Sequence, residues 1–261
     1  MKKFLSLILF FSSFNLSADC KGCLGTRLEV AYSAGQYIGI DKSYGELDLF
    51  LPCMSDCLLV FADARGYRLA ENKWKSKWAS SGGLGMRTLT REGIFGINAY
   101  VDWRESEFKK NNNRFGIGIE WLGRCIDVRL NGYISSKTHK KHHEQFHCSK
   151  LLDGADLELG MPLIFCNNFL LYTGFGPYFY GRKHGDCYWG MAGRLDFDWK
   201  TLVTLELRGS YDHVNDFRGQ IRLILSLPFE IFCTGFNDYY RSLILQPVYR
   251  NGLIFFEDCH H

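Results

Sequence analysis

From Arg27 to Phe229 the chain is written as short stretches in which apolar and polar residues alternate one by one. FGINAYVDWR, Phe95–Arg104, is the clearest. Phe95, Ile97, Ala99, Val101 and Trp103 fall on one face, and Gly96, Asn98, Tyr100, Asp102 and Arg104 on the other. A period of two is the period of an extended strand. A single such strand suits a half-buried sheet in any soluble domain. About a dozen in succession, with Trp, Tyr or Phe at the ends of the apolar face, constrain the chain much further. They put apolar side chains toward lipid, polar ones toward a wet lumen and aromatics at two interfaces.

The alternation predicts twelve strands: Arg27–Ala34, Gly45–Leu51, Leu58–Arg68, Trp78–Leu89, Ile94–Arg104, Arg114–Leu122, Ile126–Ile134, Ala155–Leu163, Phe169–Tyr180, Trp189–Trp199, Leu202–Asp212 and Arg218–Phe229. An even number suits a single-chain bacterial barrel. With the N-terminus in the periplasm, the outer connections Gly35–Tyr44, Glu105–Asn113 and Ser135–Gly154 are long and charged. The inner ones, Cys53–Cys57, Gly123–Cys125 and Lys200–Thr201, are short. Trp78, Trp103 and Trp189 fall on outward positions at the outer rim, and Trp121 and Trp199 at the inner rim, an arrangement of two aromatic belts. A soluble β-sandwich, the plainer alternative, has no need of such belts. The fold expected is all-β, a 12-stranded antiparallel transmembrane β-barrel occupying 19–229, with a tail at 230–261.

Lys2 and Lys3 precede the apolar run Phe4–Phe11, and Leu16-Ser17-Ala18 follows. Basic, apolar, then small is a secretory signal peptide, expected over 1–18. Its removal takes two lysines and lowers the formal charge from +3 to +1, a balance that gives no reason to expect nucleic acid. All ten cysteines follow the cleavage site. In an oxidising compartment disulfides are the default expectation. Position suggests Cys53 with Cys57 at one inner turn, Cys125 with Cys166 on neighbouring inner turns, and Cys148 with Cys187 on outer loops. Disulfide cross-links to other envelope proteins are the alternative. The CxxC at Cys20 and Cys23 has no second CxxC at zinc-finger spacing and is read as structural.

The inward face carries charges of both signs. Pore-lining positions are Gly96, Asn98, Tyr100, Asp102, Arg114, Gly116, Gly118, Glu120, Arg129, Asn131, Arg194, Glu206, Arg208 and Arg222. Opposite charges on neighbouring strands form ladders, and no sign dominates, so no ion selectivity is implied. Gly83, Gly85, Gly96, Gly116 and Gly118 lie inward on three consecutive strands. Strand glycine marks either close approach of another backbone or relief of crowding. The first reading gives a groove able to hold a threaded segment.

GIFGINAYVDWRES, NRFGIGIEWLG and IDVRLNGYI, together spanning Gly93–Ile134, resemble the barrel domain of inverse autotransporters of the intimin/invasin type. The matching positions are Asn98, Tyr100 and Asp102, then Arg114, Gly116, Gly118 and Glu120, then Asn131, Gly132 and Tyr133. LSLPF at Leu225–Phe229 resembles the family's last strand, and PVYRNGLIFFE at Pro247–Glu257 its segment after the barrel. The resemblance implies an outer-membrane anchor, inserted by the barrel-assembly machinery, whose C-terminal segment passes back through the pore. The chain ends at His261 with no adhesive repeats following, so a passenger-less membrane anchor, acting as a surface-exposed structural or attachment protein, is the expectation. A small-solute pore is the alternative. FNDYYRSLILQ, before Pro247, is expected to form one or two helical turns.

His139, His142, His143 and His147, beside Cys148, have a spacing able to bind a transition metal. Lysines interrupt the run and no scaffold fixes it, so a solvated basic loop is the better reading. Ser210, Asp212 and His213 suggest a hydrolase, but adjacent strand residues point in opposite directions and nothing supplies an oxyanion hole. No catalytic residue, cofactor or metal is assigned. The expected partners are outer-membrane lipid and, by cross-linking, envelope proteins, and the expected state is a monomer.

Overall fold

The computed structural model describes residues 25–55, 57–70, 76–105, 111–136, 149–166, 168–181, 187–200, 202–229, 245–254 and 256–258. They form fourteen strands: β1 (Arg27–Gly35), β2 (Tyr44–Ser55), β3 (Leu58–Ala70), β4 (Ser76–Leu89), β5 (Gly93–Glu105), β6 (Asn111–Gly123), β7 (Asp127–Ser135), β8 (Ser149–Leu151), β9 (Asp153–Cys166), β10 (Phe169–Gly181), β11 (Tyr188–Trp199), β12 (Val203–Asp212), β13 (Asp216–Pro228) and β14 (Phe256–Asp258). Twelve of them close into one antiparallel barrel, in the order β1-β13-β12-β11-β10-β9-β7-β6-β5-β4-β3-β2. Each barrel strand pairs with the next barrel strand along the chain, β7 with β9, and β1 meets β13 in the seam, from Arg27 opposite Pro228 to Gly35 opposite Gln220. The two short strands left over, β8 and β14, pair with each other in a separate two-stranded sheet.

The alternation decides which way each strand faces. In β6, Phe115, Ile117, Ile119 and Trp121 are exposed while Arg114, Gly116, Gly118 and Glu120 are buried. This is the reverse of a soluble protein. Ile117 and Ile134 are each 65% exposed and Phe217 73%, whereas Asp102 and Arg114 are fully buried. A one-residue slip of register would put the charges in lipid, so the face assignment is strongly specified. No helix among the described residues is long and apolar enough to cross a membrane.

The two ends differ. Connections such as Ser55–Leu58, Leu89–Gly93 and Trp199–Val203 are short, and those at the other end, Gly35–Tyr44 and Ser135–Asp153 among them, are longer. At the long-loop end the chain after β1 folds inward. Gly35 adopts φ +108, and a Cβ there would lie 2.3 Å from the Gly219 carbonyl, so glycine alone fits this turn against β13. Tyr37 and Ile40 then bridge each other, and Tyr37, Ile38 and Ile40 are buried over the mouth of the barrel. At the short-turn end β9 overshoots. Its pairing with β7 stops at Asp127 opposite Gly160, and Met161–Cys166 continue with β10 alone.

That overshoot breaks one expected disulfide. Cys166 lies six residues past Gly160, the last partner of β7, about 20 Å of strand at roughly 3.3 Å per residue, and Cys125, two residues before Asp127, makes up at most about 7 Å of it. Likewise Cys53 pairs across the β2–β3 hairpin with Val60, three residues beyond Cys57. Both separations exceed the reach of a bridge. Cys57, Cys125 and Cys166 are exposed free thiols, so neither the Cys53–Cys57 nor the Cys125–Cys166 bridge forms. Cys53 is disulfide-bonded, but not to Cys57. Cys148 lies outside the described residues, as do the signal segment 1–18, Cys20 and Cys23, His139, His142, His143 and His147, and most of the stretch expected to turn helical.

Candidate site in the barrel interior

The inward face is a set of linked ion pairs held by neighbouring strands. Arg65 lies 2.7 Å from Asp63 and 3.2 Å from Asp48, and the Tyr100 hydroxyl donates to Asp63 at 2.6 Å. Arg87 meets Glu120 at 2.6 Å. Arg129 lies between Asp127 at 3.2 Å and Glu158 at 2.9 Å, and Glu158 also holds Arg194 at 3.0 Å. Across β12 and β13, Arg222 joins Glu206 at 3.0 Å to Glu46 at 2.6 Å, and Arg208 meets Glu206 at 2.6 Å. Buried charges are tolerated only when paired in this way.

Of the fourteen positions expected to line the pore, Gly96, Asn98, Tyr100, Asp102, Arg114, Gly116, Gly118, Glu120, Arg129, Asn131 and Glu206 are buried on the inward face. Arg194, Arg208 and Arg222 are half-buried within the ion-pair network. Trp78, Trp121, Trp189 and Trp199 are exposed near strand ends, and Trp103 is half-buried. Asp212 accepts from the Tyr178 hydroxyl at 2.7 Å and from the Asn215 backbone, while His213 stacks on Trp189 at 5.6 Å. Those two side chains are thereby committed to separate contacts.

Residues 245–254 meet this inward face in order. The Leu245 carbonyl accepts from Arg27 at 3.2 Å and the Gln246 carbonyl from Arg87 at 2.5 Å, both near the short-turn end. The Val248 carbonyl accepts from Arg65 at 2.8 Å and the Tyr249 carbonyl from Asn131 at 3.3 Å. The Asn251 carbonyl accepts from Arg114, and the Ile254 carbonyl from Arg104 at 2.6 Å, near the long-loop end. Apolar contacts follow the same sequence. Val248 packs with Phe50, Leu59, Phe61, Ile94, Tyr100 and Leu122. Leu253 packs with Ile40, Tyr44, Tyr67, Leu69 and Ala79. Beyond it, Phe256 stands opposite Leu151 in the small sheet.

Two side chains of this segment are read directly. Arg250, 8% exposed, places its two terminal nitrogens 2.7 and 2.6 Å from the two Asp102 oxygens, with Ser81 at 2.9 Å. Its guanidinium sits over the Tyr100 ring at 4.3 Å, and Asp102 is shared with Arg114 at 2.7 Å. Tyr249 points the other way, its ring 3.7 Å from the Arg194 guanidinium and 5.5 Å from that of Arg208.

The glycines divide. A Cβ on Gly116 would lie 2.6 Å from Arg250, so Gly116 makes room for the segment. A Cβ on Gly83 would strike Tyr100, on Gly85 Phe61, on Gly96 Glu120 and on Gly118 Asn98. These four make room for the barrel's own side chains, which is the crowding alternative, and the continuous glycine groove is not present. Neither Arg250 nor Tyr249 was legible as a site residue beforehand, because nothing in PVYRNG states which wall each faces.

Residues 40–169 match the family model described as the inverse autotransporter β-domain. The chain belongs to the inverse autotransporter β-domain family. Among solved structures, a chain from a study of the in-meso crystallization of membrane proteins is 18% identical, with a TM-score of 0.70, covering 90% of this chain and 100% of its own. An outer membrane channel from Pseudomonas putida F1 is 13% identical, with a TM-score of 0.58, covering 81% of this chain and 98% of its own. At these identities the likeness shows the fold alone. No curated protein matches the chain. The inverse autotransporter β-domain is thus an outer-membrane β-barrel, located in the bacterial outer membrane.

Proposed function

We propose that this inverse autotransporter barrel is a translocator-type membrane anchor whose lumen is occupied by its own C-terminal segment. The segment enters from the periplasmic, short-turn end and delivers the residues after Ile254 to the cell surface. The chain is exported through its N-terminal signal peptide, inserted by the barrel-assembly machinery and works as a monomer without catalytic activity. The long outer connections and the emergent segment form a surface-exposed structural or attachment face. One observation supports this reading: the ordered series of carbonyl contacts from Arg27 at one end of the wall to Arg104 at the other.

Two measurements test it. In planar bilayers, the full chain is expected to conduct far less than a chain ending at Phe229, and equal conductance refutes the reading. An epitope tag placed after His261 is expected to bind antibody on intact cells. Labelling only after the outer membrane is permeabilised places the end in the periplasm and refutes threading.

A small-solute pore has one observation in its favour. A cavity of about 970 Å³ remains beside the segment, lined by Glu46, Asp48, Glu158, Arg194, Glu206 and Arg222 among others. On that reading the full chain already conducts small ions, and sugars of increasing size reduce the current at a sharp cut-off.

A further inference from the structure

Much of the polar reading of residues 245–254 by the wall is of backbone, while Val248 and Leu253 pack into its apolar clusters. The donors Arg27, Arg87, Arg65, Asn131, Arg114 and Arg104 all end on peptide carbonyls. A carbonyl is the same at every position, so this track would hold an extended polypeptide in any of several registers, each displaced by a residue. The bound segment nevertheless has one register. We infer that Tyr249 and Arg250 are the polar pair that sets it: they form a crossbar that stops the segment at a single position on a track whose other polar contacts fall mostly on backbone. The inference rests on the lumen-bound reading of the segment.

The physical case lies in the two walls being opposite in kind. Arg250 enters a socket built by Ser81 on β4, Asp102 on β5 and the bare face of Gly116 on β6, with the Tyr100 ring beneath it. The pairing is two-pronged, the fork matching the carboxylate. Tyr249 faces the other wall, where Arg194 and Arg208 present guanidinium faces to its ring. Residues 245–254 are not a regular strand, and it is the contacts themselves that set the adjacent side chains of Tyr249 and Arg250 against opposite walls. A shift of one residue one way puts Arg250 in the place of Tyr249, against Arg194 and Arg208, and Asn251 against Asp102; the other way it puts Arg250 in the place of Asn251, beside the Tyr180 hydroxyl, and Tyr249 against Asp102. A shift of two residues brings Val248 or Gly252 to the socket and leaves Asp102 without its second cation. Every displacement loses an attraction, and the step that seats Arg250 against Arg194 and Arg208 adds a repulsion.

The test places a photo-crosslinking amino acid at Leu253 in the full chain, assembled in outer membranes, and maps the adducts by mass spectrometry. The parent chain is expected to give one narrow set of sites around Tyr67 and Leu69. The exchange of Tyr249→Arg with Arg250→Tyr keeps composition and charge but inverts the crossbar. It is expected to lower the parent adduct several-fold and to move or spread the sites along the barrel. Gln246→Ala, at a half-buried position whose carbonyl accepts from Arg87, is expected to leave the map unchanged. An exchange variant with the parent map overturns the inference while leaving the lumen-bound reading intact. A parent chain with no adduct on the inner wall overturns that reading itself, and the inference with it. If the exchange variant does not assemble, Arg250→Ala is read in the same way: scattered sites support the crossbar, and a single unchanged site overturns it.

Discussion

Ile117→Arg measures how deep in lipid the outward face lies. Ile117 is 65% exposed and stands at the centre of β6, six residues from either end of Asn111–Gly123. Six residues span about 20 Å of strand at roughly 3.4 Å each. At a tilt of about 40° that is about 15 Å along the membrane normal, half the thickness of a hydrocarbon core of about 30 Å. Ile117 is therefore at the midplane, where an arginine on the lipid face costs about 2–4 kcal/mol. That range is roughly a 30- to 700-fold loss in the folding equilibrium constant. Asn113 points outward on the same strand, four residues toward the long-loop end. Asn113→Arg, closer to the interface, is expected to cost only about 0–1 kcal/mol. Urea titration of each variant in phospholipid vesicles, followed by tryptophan fluorescence, gives both values. Equal costs at the two positions, or no cost at Ile117, refute the lipid-facing assignment.

The interior makes its own demands. Asp102→Asn leaves Arg114 and Arg250 buried, their side chains 0% and 1% exposed, without their shared carboxylate. Breaking a buried pair on one side costs about 3–5 kcal/mol, and protease cleavage near Arg250 in refolded barrels should rise accordingly. Gly116→Val puts a methine carbon 2.6 Å from Arg250 and should raise bilayer conductance toward that of the chain ending at Phe229. Gly132→Val, where the nearest atom to the new Cβ is 3.7 Å away, should leave conductance unchanged. A maleimide too large to cross the outer membrane should label Cys57, Cys125 and Cys166 in permeabilised cells and not in intact ones, because all three lie at the short-turn end. Labelling in intact cells reverses the orientation.

The barrel was legible because lipid and lumen impose opposite chemistries on alternate residues, so each strand states its own faces. FGINAYVDWR could not be turned around without exposing Asp102 to lipid. What alternation does not state is how far one strand runs past the next. Cys125 and Cys166 sit on neighbouring inner turns in sequence, and only the register with β7 ending at Gly160 separates them. The inward glycines carried the same ambiguity. Gly85 and Gly116 read alike in sequence, yet one faces Phe61 on the neighbouring strand and the other faces Arg250. The strands β8 and β14, three residues each, carry no periodicity of their own and exist because the chain brings Ser149–Leu151 beside Phe256–Asp258.

The first connection and the last described segment meet at the long-loop mouth, where Ile40 packs with Leu253. The seam joins Arg27 to Pro228 at the other end. Both contacts span nearly the whole chain, and neither can form while strands between them are missing. Loop closure over such distances is entropically expensive and slow. A barrel interrupted partway through insertion has no seam, no inward-folded first connection and no partner for Leu253. Completion is then a single late event, in which sealing of the wall and capping of the mouth become possible together once β13 is in place.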